Sequence, residues 1–119
     1  MSQPTRQHLR VETVTGTTVV TFVESSLLSE EVIQEVGDQL ASLVEDQGNT
    51  RLLLNFSNVK FMSSAILGQL IKLNKKVTRA NGRLKLCGFA PTLREVFRIS
   101  QLDRLFEIYD DEQLALDRF

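Results

Sequence analysis

At 119 residues, with 42% hydrophobic and 24% charged side chains, the chain has the size and make-up of one soluble globular domain. A formal net charge of −1 supplies no field that would gather nucleic acid or an anionic membrane surface. No apolar run approaches the roughly eighteen residues of a membrane span, the N-terminus has no apolar signal-peptide core, and a single cysteine, Cys87, excludes an internal disulfide, so a cytoplasmic protein is expected.

Residues 1–7 are polar and without period, which predicts a loose, flexible tail ahead of a domain spanning 8–119. Leu9, Val11 and Thr13 alternate with His8, Arg10 and Glu12, the signature of a half-buried strand at a sheet edge. Thr15-Gly16-Thr17 signals a turn, and the β-branched run Thr18–Val23 supplies the returning strand of a hairpin. Ser25–Ser29 reads as a loop ending in a helix cap, with Ser29 as the acceptor and Glu30 and Glu31 at the positive end of the helix dipole. In that helix Val32, Ile33, Val36, Leu40, Leu43 and Val44 form one apolar stripe, while Gln34, Glu35, Asp38, Gln39 and Glu45 fill the opposite face. Gly48 lies where the helix should stop.

The unbroken run Leu52-Leu53-Leu54 predicts a central strand covered on both faces. After a polar turn and the short apolar patch Val59–Met62, a helical period begins behind Ser63-Ser64. Its apolar positions are Ile66, Leu67, Leu70, Ile71, Leu73 and Val77, and it ends at Asn81-Gly82. Leu84–Phe89 is the next strand, so this stretch is a βαβ unit with parallel strands. Pro91 sits in the first turn of a third helix whose apolar face is Leu93, Val96 and Phe97. Leu102 and Leu105 should rejoin the core, Phe106–Tyr109 should form a last strand, and Asp110-Asp111-Glu112 should precede a terminal helix carrying Leu114 and Leu116. The expected fold class is thus α/β: one domain with a mixed, mostly parallel sheet of four to five strands, an N-terminal β-hairpin and about four helices.

Catalytic constellations are sparse. His8 is the only histidine, has no evident aspartate or nucleophile beside it, and reads as exposed or partly packed near the tail. Cys87, inside an apolar run, reads as core. No Cys/His metal spacing, phosphate-binding glycine loop or dinucleotide fingerprint is present, and no cofactor is expected. Lys72, Lys75, Lys76 and Arg79 read as a solvated helix face, with a contact surface for an acidic partner as the alternative.

Ser63-Ser64 remains. One serine should cap the helix. A hydroxyl at that place is also suited to phosphorylation. Free N–H groups and the helix dipole tolerate the added charge, while any surface packed over it would meet a hydrated dianion.

The segment Leu52–Gly68, with Gly82–Gly88, Pro91–Phe97 and Ser100–Phe106, resembles the STAS domains, the anti-sigma factor antagonists and their relatives, over about Leu9 to Leu116. The resemblance implies a STAS-type fold and a binding module rather than an enzyme. Its partner would be an anti-sigma factor of the serine-kinase type, whose sequestered sigma factor is thereby freed, with a PP2C-type phosphatase as a further partner. Aligned through Met62, Leu67 and Gly68, the serine that the family kinase modifies falls on Ser64. The partner surface so implied comprises Ser25, Ser26, Asn58, Met62, Ser63, Ser64, Ala65, Ile66, Gly68, Gln69 and Lys72. Four positions depart from the family pattern. Ser63 stands for an aspartate, Ala65 for Ser/Thr, Asn55 for the strand-end aspartate, and Ile66 for a glycine, putting a β-branched side chain where a partner would need close approach. A monomer or weak homodimer is expected. Two other readings stay open: a STAS scaffold or oligomerising module that is never phosphorylated, and an enzyme or small-ligand binder.

Overall fold

A computed structural model describes residues 7–119. The predicted loose tail therefore lies outside the described residues, apart from Gln7.

The chain opens with a hairpin, β1 (Leu9–Val14) and β2 (Thr17–Phe22), paired antiparallel with Leu9 opposite Phe22. Its two-residue turn places both Thr15 and Gly16 at positive φ, 47° and 81°, the primed geometry whose twist matches that of the strands. After the two-residue strand β3 (Ser26–Leu27) comes α1 (Glu30–Glu45), capped by Ser29 Oγ, which accepts the Val32 N–H at 3.3 Å. There follow β4 (Arg51–Asn55), β5 (Phe61–Met62), α2 (Ser64–Arg79), β6 (Arg83–Cys87), α3 (Pro91–Ile99), a 3-10 turn at Leu102–Arg104, β7 (Glu107–Tyr109) and α4 (Glu112–Asp117). The main sheet has five strands in the order β1-β2-β4-β6-β7, parallel everywhere except in the hairpin. The fold class read from the sequence is the one observed. A second sheet, the parallel pair β3–β5, was not anticipated. Two-residue strands carry no period, and these two come from loops far apart in the chain.

Helices α1, α2 and α3 cover one face of the sheet, and Leu52, Leu54, Leu70, Leu86 and Phe97 are fully buried there. The short α4 covers the other, where Val19, Leu53, Cys87 and Ala115 meet beneath Tyr109, Leu116 and Phe119. Strand β4 is thus buried on both faces, as its unbroken leucines require. On the α4 side Lys85 is wholly buried. Its ammonium donates to Glu107 Oε1 (3.1 Å), the Tyr109 hydroxyl (3.0 Å) and the Arg118 carbonyl (3.0 Å), using all three of its donors.

Several expectations need correction. Val11 and Thr13 are exposed, because among the described residues β1 is the outermost strand of the sheet and an open groove separates Val11 from α1. On α3 the buried face narrows to Leu93 and Phe97, leaving Val96 and Ile99 in solvent. Leu105 and Leu114 are exposed too, and their places in the core are taken by Phe106 and Ala115.

The largest correction concerns His8, which is fully buried and partnered on both ring nitrogens. Nδ1 lies 2.8 Å from Glu24 and Nε2 lies 2.9 Å from Glu35. Glu35 and Gln39, read as the outer face of α1, turn to His8 instead, Gln39 accepting its backbone N–H at 3.2 Å. A carboxylate at each nitrogen favours the doubly protonated, cationic ring, in which both N–H groups find an acceptor. Burial disfavours that charge, but the hydrogen bonds to Glu35 and Glu24 outweigh it and raise the pKa above the ordinary 6.5. A raised folded-state pKa stabilises fully below the unfolded value and loses its effect as pH climbs through the folded value. We therefore predict that His8→Gln lowers the free energy of unfolding by about 2 kcal/mol at pH 6, and that this deficit shrinks steadily toward pH 9. Urea titrations of both proteins across that range measure it.

Candidate functional site

The C-terminal end of β4 is fixed by three local devices. Asn55 Oδ1 accepts the Ser57 N–H at 2.9 Å and closes a turn, and Phe56 N–H donates to the Cys87 carbonyl at 2.9 Å. Gly88 adopts φ 80°, and a Cβ there would lie 2.8 Å from Asn55 Oδ1, so the turn depends on a glycine beside it. The Phe56 ring is buried between Phe22 and Phe89, with centroids 4.5 Å and 4.3 Å away. Asn58 donates its side-chain amide to the Phe22 carbonyl at 3.1 Å.

From here the chain is strapped to the segment before α1. Lys60 N–H donates to the Ser25 carbonyl at 2.8 Å, Ser26 pairs with Phe61 and Leu27 with Met62, and Ser63 N–H donates to the Leu27 carbonyl at 3.0 Å. The strap delivers Ser63 to the N-cap of α2 in extended geometry, φ −90° and ψ 165°, where its Oγ accepts the Ala65 N–H at 3.3 Å. The capping duty thus falls to Ser63. Ser64 is the first helical residue, its side chain is exposed, and its hydroxyl is not needed for the cap.

Two features mark this helix start. The first turn of α2 carries no acidic residue, whereas α1 begins with Glu30 and Glu31. The positive end of the α2 dipole is therefore left uncompensated by side chains, and an anion there is favoured. On the strap that leads into it stand apolar side chains in solvent: Phe61, 62% exposed, and Leu28, next to the paired Leu27; Val23, at the end of the hairpin, is exposed as well. A hydroxyl among exposed apolar groups can serve both as a contact and as a place to attach charge.

The structure brings Ser25, Ser26, Met62, Ser63 and Ser64 together through the β3–β5 pairing. Ala65 and Gly68 are exposed on the following turn, Gln69 lies half-buried against Gly37, and Lys72 lines a groove of about 260 Å³ between α1 and α2 with Gln34, Asp38 and Glu45. Ile66 does not belong with them. It is fully buried, first in the stripe Ile66, Leu70, Leu73, Val77 that α2 turns to the sheet. Two residues beyond Ser64 is about 200° around the helix, so isoleucine at this place fills core and leaves the exposed face of α2 unchanged. Phe61, Leu28 and Val23 escaped the sequence reading; the only signal was Phe61 between Lys60 and the serines in a patch too short for a period.

Of the basic stripe, Lys72, Lys75 and Arg79 are exposed, and Lys76 is paired with Glu45 across the two helices. Cys87 is buried and its thiol is pushed up to about 12, chiefly by burial, so it is an inert core residue. Among the described residues no three His, Cys, Asp or Glu side chains gather as metal ligands, and no helix is long and apolar enough to cross a membrane.

The family model of the STAS domain matches residues 8–115. BtrV of Bordetella bronchiseptica is 30% identical over 86 residues, 72% of this chain and 73% of BtrV. The anti-sigma F factor antagonist of Lysinibacillus sphaericus is 26% identical over 111 residues, 93% of each chain. Among solved structures, an anti-sigma factor antagonist from Mycobacterium paratuberculosis superposes with a TM-score of 0.81 at 23% identity, over 99% of this chain and 97% of that one, a likeness of fold.

The division of labour between the two serines is measurable. Ser63→Ala should cost about 1 kcal/mol of stability through the lost cap, while Ser64→Ala should change it by less than about 0.5 kcal/mol, as read from urea unfolding midpoints.

Proposed function

The chain belongs to the STAS domain family, and from that premise we propose that it is an anti-sigma factor antagonist. In this reading it is a binding module of the cytoplasm, not an enzyme. It holds an anti-sigma factor of the serine-kinase type through the surface around the start of α2, and so releases a sigma factor to transcription. The kinase transfers the γ-phosphoryl of ATP to Ser64 Oγ, which gives up its proton, and a PP2C-type phosphatase hydrolyses the ester to restore the hydroxyl.

One observation carries this reading: Ser64 is exposed at a helix start that has no acidic side chain in its first turn and is flanked by exposed Phe61 and Leu28. In the unmodified state the apolar side chains supply the area a partner buries, and Ser25, Asn58, Ala65, Gly68 and Lys72 extend the surface on either side. Phosphate on Ser64 adds a charge of about −1.5 to −2 at the centre of that contact. The helix N-terminus accommodates the anion, so the domain stays folded, whereas a partner packed over it must desolvate a dianion. The Ser63 cap bears on the departures from the family pattern: the position given to aspartate elsewhere still terminates the helix here.

A second reading, a STAS scaffold whose binding never depends on phosphorylation, is favoured by the absence of that aspartate beside Ser64. One experiment separates the two. Incubated with a cognate kinase and Mg-ATP, the wild type should gain one phosphate, located at Ser64 by mass spectrometry, and Ser64→Ala should gain none. By calorimetry Ser64→Asp should bind the anti-sigma factor at least about 100-fold more weakly than wild type, and Phe61→Ala about 10-fold more weakly, both with unchanged unfolding midpoints. An unmodified Ser64 together with unchanged affinity in Ser64→Asp selects the scaffold.

A further inference from the structure

Away from Ser64, the outer edge of β1 has no strand beside it among the described residues. In the hairpin the Val23 N–H donates to the His8 carbonyl at 2.9 Å, and Leu9 stands opposite Phe22. Hydrogen-bonded pairs alternate along an antiparallel ladder, so the even-numbered residues of β1 turn their backbone groups to β2. The N–H and C=O groups of Leu9, Val11 and Thr13 therefore point away from the sheet. In keeping with this, the Leu9 carbonyl is reached by the Gln7 side-chain amide, at 2.7 Å. Val11 is 42% exposed although it stands opposite the fully buried Val20, and beside it Leu9, Gln39, Ser42 and Leu43 line an open groove of about 290 Å³. Arg10 and Glu12 project from the opposite face of the strand, both exposed.

We infer that this edge pairs antiparallel with the same edge of a second copy, about a two-fold axis through Val11. Two requirements fix the axis. The outward backbone groups belong to odd-numbered residues, so an odd residue must face an odd residue, which leaves axes through Arg10, Val11 or Glu12 as the well-overlapped choices. An axis through Arg10 sets that side chain against itself, and one through Glu12 does the same to the carboxylate. Only the axis through Val11 sets each Arg10 opposite the other copy's Glu12, twice, and opposed unlike charges stabilise a pair where like ones destabilise it. The same register brings Val11 against Val11 and Leu9 against Thr13, covering the exposed valine and joining the two grooves. The Gln7 contact to the Leu9 carbonyl gives way to the Thr13 N–H of the other copy. Two five-stranded sheets become one continuous sheet, and the surface is built from residues other than those assigned to the antagonist role.

Charge swapping tests the register. Sedimentation equilibrium from about 10 µM to about 1 mM should show wild type passing from monomer to dimer. Arg10→Glu and Glu12→Arg should each weaken the dimer at least tenfold, since each sets like charges against one another twice over. An equimolar mixture of the two variants should form a heterodimer within about threefold of the wild-type affinity, because opposite charges again face each other. Circular dichroism and urea midpoints identical to wild type confirm that the variants fold. A wild type that is monomeric throughout, including one that pairs along β1 with a foreign extended peptide, overturns the inference. So does a dimer whose affinity moves less than about threefold in both variants, or a mixture no tighter than its components.

Discussion

A run of touching phenylalanine rings ties the loops that lead to Ser63 and Ser64 to the core. Phe22 at the end of β2 meets Phe56 just past β4, Phe56 stacks on Phe89 just past β6, and Phe89 meets Phe97 on α3, which reaches Phe106 before β7. Five of the seven phenylalanines are spent this way. Each fully buried ring is worth about 2–3 kcal/mol, and each good ring pair adds about 1 kcal/mol. The loops leaving β2, β4 and β6 are consequently held from within. The β3–β5 strap, the Ser63 cap and the exposed position of Ser64 follow from where Phe56 anchors the turn.

Two buried charges fasten the two ends of the described chain. His8 joins the start of β1 to the end of the hairpin through Glu24 and to α1 through Glu35. Lys85 joins β6 to β7 through Glu107 and to the C-terminal segment through the Arg118 carbonyl, beneath the rings of Tyr109 and Phe119. Each charge is matched and hydrogen-bonded, the condition under which burial is tolerated, and removing one partner would strand the other. The two faces of the sheet are thus closed by different means: a broad apolar layer under three helices, and a small apolar cluster pinned by a lysine.

What the sequence made legible was whatever repeats along it. The unbroken leucines of β4, the helical period of α2 and the Thr15-Gly16 turn each carry their structure locally, and the βαβ unit and sheet class followed from them. What depends on distant partners was hidden. His8 could not be seen as buried, because its partners lie at positions 24 and 35 and ordinary alternation assigned Glu35 to solvent. Val11 was misplaced because alternation does not say that the far half of an edge strand is uncovered. Ile66 shows two lines of argument in conflict. Its period placed it in the core, the family alignment placed it on the partner surface, and the period prevailed because the 100° step of a helix is a stronger constraint than a motif position. Ser63 and Ser64 were legible as a pair, but only the cap geometry tells which is which.

The strap between the loops before α1 and α2 also ranks the steps of assembly. The hairpin pairs residues across a two-residue turn, whereas Ser26 and Phe61 are separated in the chain by α1 and β4. Loop-closure entropy places such a junction late, and with two residues a side it returns little enthalpy for the wait. With so few backbone bonds of its own, the β3–β5 junction is expected to open at a lower cost than the five-stranded sheet beneath it.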